Sequence, residues 1–407
     1  MGLRSGNALL NISTDRSGQF CFNHLQPGPY ELEIQAIGFQ SEHRQVDVVS
    51  GESAQITVLL VVQGVTQRVT VEGSTSDVGA TAPAHTNVSS SLIATLPSES
   101  VNASLSSVLT LATPGVAADS NGVFHPLGEH AETSFSVDGE PISDQQSRIF
   151  SNQISVSTIE EMEIIHGAPP AEYGDKTSLI VKATTRSGLD AGRVIGTFSL
   201  GYGSFDTSTA ALTLSSGTKT IGNFLALEGV SSRRFLDAPE FKPLHARGNA
   251  ENFFDRVDLK PNDFTSYHLS FSVAHSWFQT PNTYDQQSAE QDQRQHMTSF
   301  NLGVGASHLF GPSALLTANA WFRQDRVNYY PTANPLADQP ATLSQSRRLS
   351  STGAKADLSY SHRRHMLKAG VQLQVTPLSE AFRTGLTDQR SILPVSMPRA
   401  CLSLTPR

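Results

Sequence analysis

The sequence predicts a mainly β fold in three parts: an N-terminal β-sandwich, a small α+β domain, and about nine strands of an incomplete antiparallel β-barrel. Three observations support this prediction. The first 62 residues alternate apolar and polar side chains, the middle of the chain mixes a helical segment with short strands, and alternating segments recur regularly from residue 193. The expected parts are residues 1–63, 64–190 and 191–377, followed by an irregular tail at 378–407.

The composition excludes several classes of protein. The 407 residues include 29 Lys and Arg against 37 Asp and Glu, a formal net charge of −8, which argues against nucleic acid as a partner. The 2 cysteines exclude a disulfide scaffold and a cysteine-rich zinc site. The longest apolar run, Val58 to Val62, is far shorter than the roughly 20 residues of a membrane-spanning helix. The N-terminus as written has no signal peptide.

The first part has the periodicity of half-buried strands. Apolar stripes of period two are separated by turn-forming residues, which predicts a small antiparallel sandwich. The stripes are Phe20 and Phe22; Tyr30, Leu32, Ile34 and Ala36; Val46 and Val48; and Ile56, Val58 and Leu60. Only residues 8–12 remain before the first turn, so we expect the sandwich to lack its opening strand.

The second part mixes helix and strand patterns. A helix is expected over residues 101–111, because apolar positions share one helical face and Pro114-Gly115 ends the pattern. Short strands are expected at residues 134–137, 159–165 and 179–184. This mixture predicts a compact α+β domain that is rich in loops.

The third part consists of alternating strands with one apolar face and one small or polar face. The expected strands are residues 193–202, 206–215, 220–231, 251–259, 264–278, 297–309, 314–328, 350–360 and 366–376. Such alternation is typical of transmembrane β-strands in the outer membrane, and a soluble sandwich would show it as well. The periodicity by itself leaves both architectures open.

The connections between these strands favour the membrane barrel. Short and long connections alternate, apart from a tight bend at residues 203–205, as in barrels with short periplasmic turns and long extracellular loops. The short ones are residues 216–219, 260–263, 310–313 and 361–365, and the long ones are residues 232–250, 279–296 and 329–349. Aromatic residues near strand ends fit interfacial girdles; they are Trp277, Phe278, Trp321, Tyr329, Tyr330 and Tyr360.

Two sets of motifs resemble known families. The run from Thr14 to Phe22, continued by Pro27-Gly28-Pro29-Tyr30 and Gly38-Phe39, is similar to the carboxypeptidase regulatory-like domain, a non-catalytic β-sandwich. The second set resembles the plug domain of TonB-dependent receptors, and the order of the three parts resembles the Oar-like branch of that family. The plug motif residues are Pro114, Gly115, Val137, Asp138, Gly139, Glu163, Gly167, Ala171, Glu172, Tyr173, Gly174, Thr185 and Gly188.

The resemblance implies a transport function at the cell outer membrane of a Gram-negative bacterium. A plug would fill the lumen of a barrel of about 22 strands that is embedded in outer-membrane lipid. Extracellular loops would bind a scarce ligand, and TonB would release the plug by pairing with a short TonB box through strand addition. The candidate box is Gln67, Arg68, Val69, Thr70 and Val71. The same residues could instead form a last strand of the sandwich.

Some of these residues also have a simpler, purely structural interpretation. Asp138-Gly139 is expected to form a plain turn between plug strands. Glu160, Glu161 and Glu163 could suggest a metal cluster, but their alternation favours the solvated face of a strand. No cofactor is expected, and no catalytic constellation indicates an enzyme. The alternative function is a secreted or surface β-sandwich adhesin that binds carbohydrate.

The predicted strand count also suggests a fragment. Bacterial single-chain barrels have an even number of strands, and the plugged receptors have about 22, whereas about nine are expected here. We therefore expect a product that lacks its start and most of its barrel.

Overall fold

The fold is described from a computed structural model. It describes most of the chain beyond residue 179 and shorter segments before it. The described residues are 2–5, 8–12, 14, 19–23, 25–34, 42–48, 56, 58, 84–93, 104–113, 115–118, 124–126, 134–142, 155–166, 179–338, 341–362, 365–387 and 399–403. In this part of the chain, no helix has the length and apolar character needed to cross a membrane.

The N-terminal part contains a four-stranded antiparallel sheet in the order β2-β1-β3-β4. Its strands are β1 (Gly2–Ser5), β2 (Ala8–Asn11), β3 (Gly28–Ile34) and β4 (Glu42–Val48). Leu32 and Ile34 form the buried centre, and the predicted apolar stripes pack against them, including Phe20 and Phe22. Strand β1, whose residues Gly2 to Arg4 pair with β3, was not among the predicted strands.

The α+β part is built on a five-stranded sheet in the order β5-β10-β11-β8-β9. Only the β11–β8 pair is parallel. Its elements are β5 (Ala84–Ser89), α1 (Ser90–Ile93), α2 (Ser104–Ala112), β6 (Val116–Ala118), β7 (Phe124–Pro126), β8 (Ser134–Val137), β9 (Glu140–Ile142), β10 (Ile159–His166) and β11 (Ile180–Thr185). The helix α2 packs Val108 and Leu109 against Met162 and Ile164 of β10, as its apolar face predicts.

The third part is one large antiparallel sheet. Its strands are β12 (Ile195–Gly203), β13 (Thr207–Gly217), β14 (Ile221–Ser232), β15 (Gly248–Asn262), β16 (Thr265–Gln279), β17 (Arg294–Phe310), β18 (Ala314–Tyr330), β19 (Ala341–His362), β20 (His365–Val375), β21 (Leu378–Leu386) and β22 (Arg399–Ser403). A short helix α3 (Tyr284–Ser288) lies between β16 and β17. This arrangement confirms the mainly β fold class. Among the described residues the sheet stays open, with β12 at one edge and β20 and β22 at the other.

The two faces of the large sheet differ in chemistry, as the alternation predicts. One face exposes aliphatic and aromatic side chains, and four of its phenylalanine rings form a ladder of edge-to-face contacts across β15 to β18. They are Phe253, Phe271, Phe300 and Phe322. The other face is lined by small and polar residues and packs against the α+β domain. An apolar outer face with a polar inner face is the arrangement that a membrane barrel needs.

The predicted alternation of connection lengths is present. Short turns at residues 218–220, 263–264 and 311–313 lie at one end of the strands, and longer connections at residues 233–247, 280–293 and 331–340 lie at the other. Strand β19 begins at Ala341 rather than at the predicted residue 350, because its first half pairs with β18 and β21.

The prediction of an irregular tail at residues 378–407 is wrong for Leu378–Leu386 and Arg399–Ser403, which form strands. Strands β20 and β21 pair with β19 in one continuous register that is interrupted only around Pro377. Proline lacks a backbone N–H donor, so a proline in the sequence predicts the end of a strand. Here the Pro377 carbonyl still accepts from the backbone N–H of Ser350, at 3.1 Å.

Candidate functional site

A tight hairpin of the α+β domain touches the polar face of the large sheet. Strands β8 and β9 are joined by Asp138 and Gly139, whose φ angles of 49° and 87° are those of a two-residue type I′ turn. A Cβ on Gly139 would lie 2.6 Å from the side-chain nitrogen of Asn319 on β18. Glycine therefore permits both the backbone conformation and the close approach to the sheet.

The Asp138 carboxylate is fixed by its own domain. Its Oδ1 accepts from the backbone N–H of Thr185 at 3.0 Å, and its Oδ2 accepts from the Thr185 hydroxyl at 2.6 Å. The backbone N–H of Asp138 donates to the Ala183 carbonyl at 2.9 Å. These bonds orient the carboxylate toward the large sheet, where it meets a guanidinium.

That guanidinium belongs to Arg256 on β15, which bridges the two sheets. Its Nη1 donates to Asp138 Oδ1 at 3.1 Å and to the Thr185 hydroxyl at 2.8 Å. Its Nε and Nη2 donate to Asp258 Oδ1 at 3.0 and 2.8 Å, and Ser187 donates to Asp258 Oδ2 at 2.7 Å. The side chains of Asp138, Arg256 and Asp258 are only 8, 12 and 5 % exposed. Charge-assisted bonds of this kind are the strong ones in a buried interface.

The ionisation of Asp138 follows from this environment. Burial opposes the charged form, but the Arg256 guanidinium, with His268 and the two Thr185 bonds, outweighs it and holds the pKa of Asp138 below its ordinary 3.8. The carboxylate is therefore ionised near neutral pH and balances the guanidinium.

A second contact lies at Glu140, two residues further along the hairpin. The Asn301 side chain on β17 donates to Glu140 Oε2 at 2.8 Å, whereas Glu140 Oε1 is buried and has no hydrogen-bond partner in the part of the chain that the structure describes. Burial raises the pKa of Glu140 from 4.5 to about 7, against the Asn301 bond and the Arg323 guanidinium. On β18, Arg323 Nε donates to Asp325 Oδ2 at 2.7 Å, with both side chains buried.

A cavity of about 40 Å³ separates the two contacts. It is lined by the hairpin residues Asp138 and Glu140 and by Asn252, Asn301 and Arg323 of the large sheet. A cavity of this size has room for about three or four water molecules, at about 10–15 Å³ each.

Comparisons with known proteins agree with this arrangement of domains. Residues 3–61 match the family described as carboxypeptidase regulatory-like domain. Over 186 residues, the chain is 26 % identical to the TonB-dependent transporter Oar of Myxococcus xanthus; the match covers 44 % of this chain and 17 % of Oar. Over this segment the chain is similar to a TonB-dependent transporter. The relatives found are transporters and receptors, a non-enzymatic family.

Solved structures show the same fold. The ferric-catecholate import receptor Fiu of E. coli K12 has a TM-score of 0.56 at 14 % identity and covers 81 % of this chain and 53 % of its own. The siderophore receptor PiuA of Acinetobacter baumannii has a TM-score of 0.56 at 13 % identity, with 79 % and 53 % covered. The chain therefore spans about half the length of these receptors. We call the α+β domain the plug and the large sheet the barrel wall from here on.

Glycines allow the end of the plug to contact the first turn of the barrel wall. A Cβ on Gly188 would lie 2.1 Å from the Asn223 carbonyl oxygen, and a Cβ on Gly222 would lie 2.2 Å from the Leu189 nitrogen. Two backbone bonds reinforce the contact: the Asp190 N–H donates to Thr218 and the Gly192 N–H donates to Gly217, at 3.0 and 2.8 Å. The plug thus joins the wall at its short-turn end.

At the opposite end, the loops fold over the wall. Phe235 of the 233–247 connection stacks on Phe278 of β16, with ring centroids 5.5 Å apart, and both are 2 % exposed. His245 Nδ1 and Nε2 hydrogen-bond to the Thr280 carbonyl and to Asp292, at 2.9 and 2.6 Å. These contacts hold the 233–247 and 280–293 loops together at the long-loop end of the barrel wall, which we call the mouth.

The structure brings part of the predicted plug motif together. Val137, Asp138, Gly139 and Thr185 meet at the contact with the wall, and Gly188 lies beside it. Gly115 adopts a φ of 79° directly before β6, away from the contact. Six further motif residues, and the box candidate, lie outside the described residues: Pro114, Gly167, Ala171, Glu172, Tyr173 and Gly174, and Gln67, Arg68, Val69, Thr70 and Val71.

The acidic strand residues of the plug do not gather around a metal. Glu163 pairs with Lys182 across β10 and β11 at 3.4 Å, and Glu160 lies 3.7 Å from Arg186. In the segments that the structure describes, no group of three metal-ligating side chains is present.

The wall residues that hold the plug were missed at the sequence level. Two strands of the wall carry an Arg-x-Asp pair on their inward face. The pairs are Arg256 and Asp258 on β15 and Arg323 and Asp325 on β18. Because residues i and i+2 of a strand lie on the same face, a pair of charged residues on a face of otherwise small, polar side chains could have predicted a contact there. The partner of Arg256 across the lumen, Asp138, could not be assigned from spacing.

Proposed function

We propose that the chain belongs to an outer-membrane TonB-dependent receptor that takes up a scarce extracellular ligand. The observation that carries the proposal is the polar contact between plug and wall, centred on Asp138 and Arg256. A plug that is held by hydrogen bonds and ion pairs keeps its apolar core buried inside its own domain. It can leave the wall without exposing that core to water, which an apolar interface would not allow.

We place ligand capture on the long connections at residues 233–247, 280–293 and 331–340. Their packing supports this assignment: Phe235 anchors the first loop inside the mouth, and the capped helix α3 orders the second. Loops positioned by a rigid scaffold are the usual site of binding. The ligand would reach the plug from this end, since the plug joins the wall at the other.

We propose TonB as the energy-supplying partner and Gln67 to Val71 as its box. The segment precedes the first described plug strand, β5, so force applied there would reach the sheet through Ala84. Its β-branched residues and lack of proline suit pairing by strand addition. In lipid, the free edges of β12, β20 and β22 need partner strands, because an unpaired backbone group there costs several kcal/mol.

Two measurements test the proposal. The chain is expected to fractionate with outer membranes, and a peptide of residues 64–75 is expected to bind the C-terminal domain of TonB. A peptide with Val69→Pro is the matched control, because proline removes a backbone donor and should abolish strand addition. Recovery of the chain as a soluble protein, together with equal binding of both peptides, would refute the assignment.

A further inference from the structure

The cavity between plug and wall contains acceptor oxygens without donors. Three of the oxygens of its lining residues are buried and have no hydrogen-bond partner among the described residues: Glu140 Oε1, Asn252 Oδ1 and Asn301 Oδ1. The Asn301 amide nitrogen already donates to Glu140, which fixes its oxygen as an acceptor. A buried acceptor that lacks a donor destabilises the docked state, because it has lost its hydrogen bonds to water. Three such oxygens around one cavity require hydrogen-bond donors that the paired side chains do not supply.

The charged groups around the cavity also favour the binding of a proton. Two guanidinium groups face four carboxyl groups, and His268 and Ser270 face them from β16. The carboxyl groups are Asp138 and Glu140 of the hairpin, Asp258 of β15 and Asp325 of β18, and the guanidinium groups are Arg256 and Arg323. With every group ionised, negative charge exceeds positive charge by two. Binding a proton reduces this excess.

We propose that Glu140 is a proton-binding latch, whose neutral carboxylic acid, together with cavity water, supplies the missing donors while the plug is docked on the wall. The acid proton on Oε1 satisfies an amide oxygen, and water satisfies the remainder. Ionisation of Glu140 removes a donor and adds a buried negative charge, so it favours release of the hairpin. The proton passes to solvent as Glu140 leaves the wall.

A proton suits the cavity better than a metal cation. Only Glu140 offers an unpaired carboxylate oxygen, since Asp138 is already bound by Thr185 and Arg256. The Arg323 side chain lines the same cavity and would repel a cation.

The direction of the pH dependence follows from linkage. The docked pKa of Glu140, about 7, is raised above its ordinary 4.5, so the docked plug binds more protons than the released one. The contribution of Glu140 to docking is therefore fully present below pH 4.5 and is lost as pH rises through about 7. The release equilibrium is expected to rise about 300-fold across that range and about tenfold between pH 6 and 8.

Hydrogen exchange in the full chain, held in detergent micelles, tests the latch. After correction for intrinsic exchange rates, the amides of β8 and β9 are expected to open about tenfold more at pH 8 than at pH 6. Glu140→Gln should remove this difference, because the amide donates as the neutral acid does. The control Glu163→Gln alters another plug glutamate, paired with Lys182, and should keep it. Equal pH dependence in wild type and Glu140→Gln would overturn the proposal.

Two further measurements separate the possible outcomes. The infrared band of the protonated carboxyl, taken as wild type minus Glu140→Gln, should titrate near pH 7, and titration near pH 4.5 would refute the latch. Sodium, potassium and calcium chloride are compared at pH 8 and constant ionic strength. Protection restored by one salt in wild type alone would assign the cavity to that cation instead. The latch rests on the proposed role of the plug, but these readouts do not depend on TonB binding or uptake.

Discussion

Replacing Arg256 with methionine should release the plug from the wall while leaving the strands of the wall paired. The substitution keeps most of the side-chain length but removes the guanidinium between Asp138 and Asp258, whose side chains are 8 and 5 % exposed. Removing one partner of a buried ion pair costs about 3–5 kcal/mol, because the remaining charge is uncompensated. The plug–wall contact should therefore open roughly 150- to 5,000-fold more often.

Hydrogen exchange of the Thr185 and Asp138 amides in detergent micelles follows this opening. Both amides donate to acceptors inside the plug, next to the contact, and should lose protection when the wall no longer covers them. Arg233→Met is the matched control: its pair with Asp206 has a similar distance, 2.8 Å, but the side chains are 62 and 49 % exposed. An exposed pair contributes about 0–1 kcal/mol, so protection should change little. An equal effect of the two substitutions, or a loss of protection below tenfold in Arg256→Met, would refute the reasoning.

The same variant, Arg256→Met, should change how docking of the plug depends on pH at acidic pH. Because the docked pKa of Asp138 is held below 3.8, its contribution is present above that pH and is lost as pH falls through the lowered value. Without Arg256 the docked pKa of Asp138 rises, so the loss of docking on acidification should become smaller. Exchange measured from pH 5 downward checks this change, and an unchanged pH dependence would contradict the role given to the guanidinium.

Further predictions concern the glycine contact and the loops. Gly188→Ala should destabilise the junction of plug and wall by about 1–3 kcal/mol, because its Cβ would lie 2.1 Å from the Asn223 carbonyl oxygen; thermal unfolding in micelles measures the loss. Phe235→Ala should cost about 3–5 kcal/mol in packing against Phe278 and expose the 233–247 loop to proteolysis. Phe241→Ala, which alters a fully exposed side chain of the same loop, should leave cleavage unchanged, and equal cleavage of both variants would disprove the anchor.

The strands were predictable because their signal is local. Alternation of period two assigns each side chain to one face, and β16 shows this with Leu269 and Val273 outward and Ser270 and Ser276 buried inward. Connection lengths then ordered the strands into hairpins without any knowledge of long-range contacts. The plug strand β10 was predicted for the same reason.

Two errors arose where pairing, rather than local pattern, maintains a strand. The last strand was predicted to end at residue 376, yet the long strand β19 offers partners on both sides of Pro377, so β21 continues in register. The beginning of β19 at Ala341 was missed because its first residues alternate weakly. Backbone pairing with neighbours can hold such segments, which sequence periodicity does not record.

The sequence by itself determined the order of sandwich, plug and barrel wall, the two faces of each strand, and the turn at Asp138-Gly139. These features depend on side-chain alternation and on local backbone preference. Only the tertiary structure decided that Asp138 meets Arg256 and that Glu140 is buried beside Asn301, 161 residues away. The charge of a side chain is local, but its partners and its pKa depend on which distant segments remove it from water.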